Sequence, residues 1–137
     1  MTYNQLQTIV ESTCLSYPNV KTFGCGDIYL LNSTTPTYSV MWLSLVSRTD
    51  YSNFTTYQVN LFYVDRLKKD LSNEELIISE GMEACETVVS MLKHRDDLLW
   101  DPDTSVTYTP FRERFSDECA GVYVNFSIQV PVEELCL

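Results

Sequence analysis

Tyr57-Gln58-Val59-Asn60-Leu61-Phe62-Tyr63-Val64-Asp65, followed after a short connection by Ser72-Asn73-Glu74-Glu75-Leu76-Ile77-Ile78 and on to Lys93, is the stretch that decides the fold. The first part reads as a long strand and the second as a long helix. Ser72 with Glu75 three residues on has the spacing of a capping box, and Leu71 and Leu76 flank it as a hydrophobic staple. At 100° per residue, Ile77, Ile78, Gly81, Met82, Ala84, Cys85, Val88, Val89, Met91 and Leu92 fall in one half of the helical wheel. So wide an apolar face belongs against a sheet rather than along a narrow coiled-coil seam. The helix spans roughly 33 Å at about 1.5 Å per residue, and a ten-residue strand spans about as much. The helix can therefore lie along its own strand.

Outward from this stretch, Thr2 and Gln5 offer a second capping box. Tyr3, Leu6, Ile9, Val10, Cys14 and Tyr17 line one helical face, which predicts a first helix over 3–16. Residues 21–26 read as an irregular turn hinged at Gly24-Cys25-Gly26, 27–31 as a short strand, and 32–37 as a loop. Residues 38–47 form a strand with Val40, Trp42 and Val46 on one face and Met41, Leu43 and Leu45 on the other. Such a strand is covered on both sides or pressed against a partner chain. Residues 48–55 form a polar hairpin connection whose tip carries Tyr51 and Phe54. After the long helix, 104–109 reads as a strand, 110–118 as a charged connection, and 122–130 as the final strand. There Val122, Val124, Phe126, Ile128 and Val130 alternate with Tyr123, Asn125, Ser127 and Gln129, and Pro131 stops it. Hairpin-length links imply mostly antiparallel pairing. The expected fold is an α+β two-layer sandwich: a mostly antiparallel sheet of four or five strands with both helices on one face.

The 137 residues suit a single domain covering 1–137. Apolar residues make up 45% and charged residues 20%, which marks a globular chain. The net charge of −10 argues against affinity for nucleic-acid phosphates, which needs a surplus of Lys and Arg, and against anionic membranes. The N-terminus lacks the basic and apolar regions of a signal peptide, and no apolar run reaches transmembrane length. The five cysteines are an odd number without a C-x-x-C pair, so reduced thiols in a cytosolic setting are expected. The sequons at Asn32, Asn53 and Asn125 are then chance matches.

Candidate chemistry is sparse. His94 is the single histidine, so a multi-histidine metal site is excluded, and it sits where a helix C-terminus favours a cation. Cys25 between two glycines could be a thiol nucleophile with His94 as base, but an isolated Gly-flanked cysteine is common. Gly24-x-Gly26 lacks the third glycine and the lysine of a phosphate loop. Asp96, Asp97, Asp101 and Asp103 could in principle hold calcium, yet the EF-hand spacing is missing and Pro102 interrupts. No catalytic residue, cofactor or metal site is expected. Trp42, Tyr51, Phe54, Phe111, Arg112, Arg114 and Phe115 are the candidate subunit-contact residues, since aromatics and Arg are enriched at interfaces.

Several of these features together resemble the tail terminator, tail completion and neck-ring proteins of tailed bacteriophages. They are the short first helix, the hairpin ending in Val64-Asp65-Arg66, the helix beginning Ser72-Asn73-Glu74-Glu75, and the run Thr109-Pro110-Phe111-Arg112-Glu113-Arg114-Phe115 followed by Asp117-Glu118-Cys119-Ala120-Gly121-Val122 and, at the end, Cys136. The likeness covers nearly the whole chain and is closest to versions from phages of Bacteroidales, including crAss-like phages. It is one of layout, because the family has no invariant motif. It implies a sheet with helices on one side. It further implies a structural virion protein of the neck or tail, made and assembled in the host cytoplasm. The subunits form a closed ring of six or twelve copies and meet adjacent portal, adaptor and tail proteins, while DNA passes through without specific binding. It lends no catalytic residues. A six-fold ring would carry a formal charge of about −60 and a twelve-fold ring about −120, a field that repels DNA from the wall. The alternative is a small acidic cytosolic adaptor or inhibitor without catalytic activity.

Overall fold

The structure is a computed structural model of the chain and describes residues 2–28, 31, 38–68, 70, 72–100, 105–112 and 119–131. Seven elements follow in order: α1 (Tyr3–Leu15), β1 (Thr22–Cys25), β2 (Val40–Asp50), β3 (Phe54–Arg66), α2 (Glu74–Lys93), β4 (Tyr108–Arg112) and β5 (Cys119–Pro131). The strands form one five-stranded sheet in the order β1-β2-β3-β5-β4. Three pairings are antiparallel. The fourth, β1 with β2, is parallel, so the α+β sandwich is built on a mixed sheet.

Alternation places the core. Met41 and Leu43 of β2, Tyr57, Val59, Leu61 and Tyr63 of β3, and the even-numbered residues 120–130 of β5 all face the helices. There they meet Leu6, Val10 and Cys14 of α1 and Ile77, Ala84, Cys85, Val88 and Leu92 of α2. Both helices therefore cover the same face. The other face has a smaller apolar cluster at one end: Leu31, Val40, Trp42, Phe62, Val64, Phe111 and Cys119, with Ile28 and Tyr38 packed on it. This second cluster explains why the first four residues of β2 are buried on both faces. The rest of the outer face is polar. Asn60 and Asn125 are register partners, and Gln58 donates to Asn125 Oδ1 at 3.1 Å while Asn125 donates to Asn60 Oδ1 at 2.8 Å.

Several expectations change. The irregular turn read over 21–26 contains β1, and within 27–31 the described residues form no strand. A four-residue strand with a glycine inside has no local signal; its support is the parallel register with residues 40–43 of β2. Gly26 ends β1 with φ 121°, a conformation that suits glycine alone. The strand expected over 104–109 lies at Tyr108–Arg112 instead. Pro110 is tolerated because β4 is an edge strand. At the hairpin, β2 continues to Asp50 through an irregularity between Leu45 and Ser47. Val46 is the extra residue and is 51% exposed, while Leu45 keeps its register opposite Val59 and is 40% exposed because it lies beyond the end of β1.

The two capping boxes part company. Thr2 and Gln5 form theirs fully: Gln5 N–H donates to Thr2 Oγ1 at 3.2 Å and Thr2 N–H to Gln5 Oε1 at 2.7 Å. At α2 the cap is Asn73, not Ser72, and its side chain caps nothing in the helix. It turns back instead, accepting from Lys68 N–H at 2.8 Å and donating to the Arg66 carbonyl at 3.2 Å. Leu76 is exposed rather than stapled, and Leu71 lies outside the described residues. Arg112 of β4 meets this helix end, donating to Glu75 at 2.8 Å and to Glu74.

Three outcomes in urea unfolding follow. Thr2→Ala should cost about 1 kcal/mol, whereas Ser72→Ala should stay within about 0.5 kcal/mol. Gly121 sits where a Cβ would overlap the Tyr63 carbonyl of the neighbouring strand. Gly121→Ala should therefore cost about 3 kcal/mol or more, because a backbone atom rather than a flexible side chain must give way.

Candidate functional site

Among the described residues, one concavity lies where β1 stops short of its longer neighbour. It is a cleft of about 430 Å³ lined by residues of both layers, including Tyr3 and Gln7 of α1, Cys25 of β1 and Asp27 just after it, Ser44 and Leu45 of β2, and Asn60 and Phe62 of β3. A second hollow of about 380 Å³ adjoins it, sharing Gln7 and Cys25 and adding Glu11 and Phe23. None of these residues forms a local motif. Parallel docking of β1 brings them together, and the sequence gives no periodic signal for that docking.

Cys25 is half-buried in this groove. Burial, and then the Glu11 carboxylate, push its thiol above the usual range. That keeps it protonated at neutral pH, opposite to what activates a nucleophilic thiol. His94 does not line either hollow. It sits at the C-cap of α2, its Nδ1 2.7 Å from the Ser90 carbonyl oxygen. The structure thus does not join Cys25 and His94. Cys14, Cys25, Cys85 and Cys119 form no disulfide. Within the acidic stretch, Asp97 receives two hydrogen bonds from Arg95, both at 2.9 Å, and these hold its carboxyl below the ordinary range. Asp101 and Asp103 lie outside the described residues. Among the described residues no three His, Cys, Asp or Glu side chains gather as metal ligands, and no helix is long and apolar enough to cross a membrane.

The subunit-contact candidates divide sharply. Trp42 is 4% exposed and Phe111 3%, so both serve the second core. Trp42 Nε1 donates to the Gly26 carbonyl at 2.9 Å, and Phe111 packs edge-on against Phe62 with ring centroids 6.3 Å apart. Neither offers area to a second chain. Arg112 is engaged with Glu74 and Glu75 of its own chain. Arg114 and Phe115 lie outside the described residues. Tyr51 remains at the surface and Phe54 is half-buried. They stack at the hairpin tip with centroids 4.7 Å apart, Tyr51 being 53% exposed, and Tyr51 N–H closes the turn onto the Phe54 carbonyl at 2.8 Å. Leu45 and Val46 extend this apolar surface along the same hairpin.

The chain matches no protein-family model and no curated protein sequence.

The buried thiols and phenols give the protein an alkaline limit. Burial pushes Cys85 to about 12 and Tyr63 to about 12, and raises Cys14 and Cys25 as well. In the unfolded chain these thiols ionise near their ordinary value of 9.0. Between that value and the folded values the unfolded state binds fewer protons, so stability must fall as pH rises. Urea midpoints should be flat from neutral pH to about 8 and decline above about 9. Alkylation of Cys25 should stay slow at neutral pH and quicken in Glu11→Gln, which removes the charge opposing its ionisation.

Proposed function

We propose that this chain is a structural subunit of the neck or tail of a tailed bacteriophage. It assembles as a closed ring of six or twelve copies beside portal, adaptor and tail proteins, without catalytic activity of its own. The resemblance in layout suggests the class. The observation that supports it best is the distal half of the β2–β3 hairpin. Leu45, Val46 and the stacked Tyr51–Phe54 pair carry apolar surface that nothing among the described residues covers, and exposed apolar surface rimmed by polar residues is what protein contacts use. On this reading the hairpins reach between neighbouring subunits. The neutral row of Asn60, Gln58, Asn125 and Ser127 faces the channel or the solvent. DNA then passes a wall that offers no cation to hold it. The protein is made in the host cytoplasm and ends in the virion.

Native mass spectrometry of the purified chain, alone and mixed with the products of flanking genes, tests this. A six- or twelve-fold species is expected, dispersed to monomers by Tyr51→Lys with an unchanged melting temperature. Portal, capsid and tail genes should flank the coding gene. A chain that stays monomeric with every neighbour, and is missing from purified particles, would leave the acidic adaptor as the better account.

A further inference from the structure

β1 is four residues long and lies beside an eleven-residue strand. It pairs with residues 40–43 of β2, and the last bond on that side runs from Gly26 N–H to the Leu43 carbonyl at 2.9 Å. Along residues 44–50 no described strand lies on this side of β2. Among the described residues this leaves an open lane collinear with β1, about 23 Å long at about 3.3 Å per residue. A row of outward N–H and C=O groups is a template for another strand. Here the template is also walled. The cleft at the start of the lane has Tyr3 and Gln7 from the helix layer on one side and Asn60 and Phe62 from the outer face on the other. An added strand sends its side chains alternately to the two sides, and this groove receives both sets.

We propose that this lane is a strand-addition site for an extended, cationic segment of a partner protein. Charge selects the sign of the occupant. Among the described residues, the cleft at the start of the lane holds the Asp27 carboxylate, the adjoining hollow between α1 and β1 holds that of Glu11, and neither holds a Lys or Arg, within a chain of net charge −10. An acidic segment is repelled and a basic one is drawn in. The same charge opposes a second copy as occupant. So does the far edge of the sheet, where β4 carries Pro110 and Leu99 bridges to Gln129 through bonds of 2.8 and 3.1 Å. That edge offers no long free strand for head-to-tail continuation. The irregularity at Leu45–Ser47 and the Arg48–Asp50 pair at 2.9 Å, both on the lane itself, are devices that restrain indiscriminate edge pairing. The lane shares Leu45 and Val46 with the surface that the ring reading uses, so the titration is run on the monomer, where no neighbouring subunit occupies them.

The test is a titration of the ¹⁵N-labelled full chain with a nine-residue synthetic peptide alternating valine or threonine with lysine. Two control peptides replace every lysine by glutamate or methylate alternate backbone nitrogens. The lysine peptide should bind saturably, shifting the amides of Leu45, Val46, Arg48 and Asp50 together with those of Cys25 and Gln7. Both controls should fail to saturate. Glu11→Gln combined with Asp27→Asn should weaken binding by about threefold or more while leaving the unliganded spectrum in place elsewhere. Equal binding of the glutamate or methylated peptide, or shifts confined to other surfaces, would overturn the proposal. So would shifts of the same amides with protein concentration alone and a doubled molar mass, because the occupant would then be a second copy.

Discussion

Everything in this molecule depends on the register between β3 and β5. Thirteen consecutive pairs run from Phe54 opposite Pro131 to Arg66 opposite Cys119 without a break. Because side chains alternate with a period of two, this one alignment decides which residues meet the helices and which meet water. Slipping it by a single residue would carry Val122, Val124, Phe126 and Ile128 into solvent and bring Asn125 and Ser127 into the core. Gly121 helps hold the alignment, since its missing side chain lets the two backbones close up beside Tyr63. β2 takes its place on the other flank of β3, and β1 and the helices then settle on a surface already determined.

The parts of this architecture that have their own periodicity were legible in the chain. Val122 to Val130 alternates so cleanly that face and strand follow from it directly. Residues 57–65, the apolar stripe of the long helix and the Thr2–Gln5 cap are local patterns with local causes. The failures arise where a distant partner overrides the local pattern. Ser72 and Glu75 have the right spacing for a box, but the end of β3 draws Asn73 away to Arg66 and Lys68 and makes it the cap. Thr22 to Cys25 has no pattern of its own and becomes a strand only beside Val40 to Leu43. The odd residue at Val46 shifts the alternation, so that Arg48 comes opposite Tyr57 on the face that simple alternation denies it.

The same limit explains the reading of surface residues. A strand apolar on both sides, such as 40–43, needs cover, and the sequence alone does not distinguish another chain from a segment of the same one. Here the segment containing Ile28, Leu31 and Tyr38 supplies the cover, and Trp42 and Phe111 turn inward with it. Tyr51 is exposed and Phe54 half-buried beneath it, because a hairpin tip has little chain of its own to hide them. The cleft beside β1 was invisible, because Tyr3 and Gln7 of α1, Asp27 after β1 and Asn60 of β3 come from three separate segments with no common spacing.

The uncovered part of the sheet has a consequence for how the molecule responds to its medium. Ser44, Thr56, Gln58, Asn60, Asn125, Ser127 and Gln129 present dipoles and no ionisable group, while the helical layer carries Glu11, Glu80, Glu83 and Glu86. Added electrolyte shortens the reach of the carboxylates to a few ångströms and leaves the amide face as it was. The two sides of the sandwich therefore behave as different materials, one whose influence fades in brine and one whose wetting is indifferent to it.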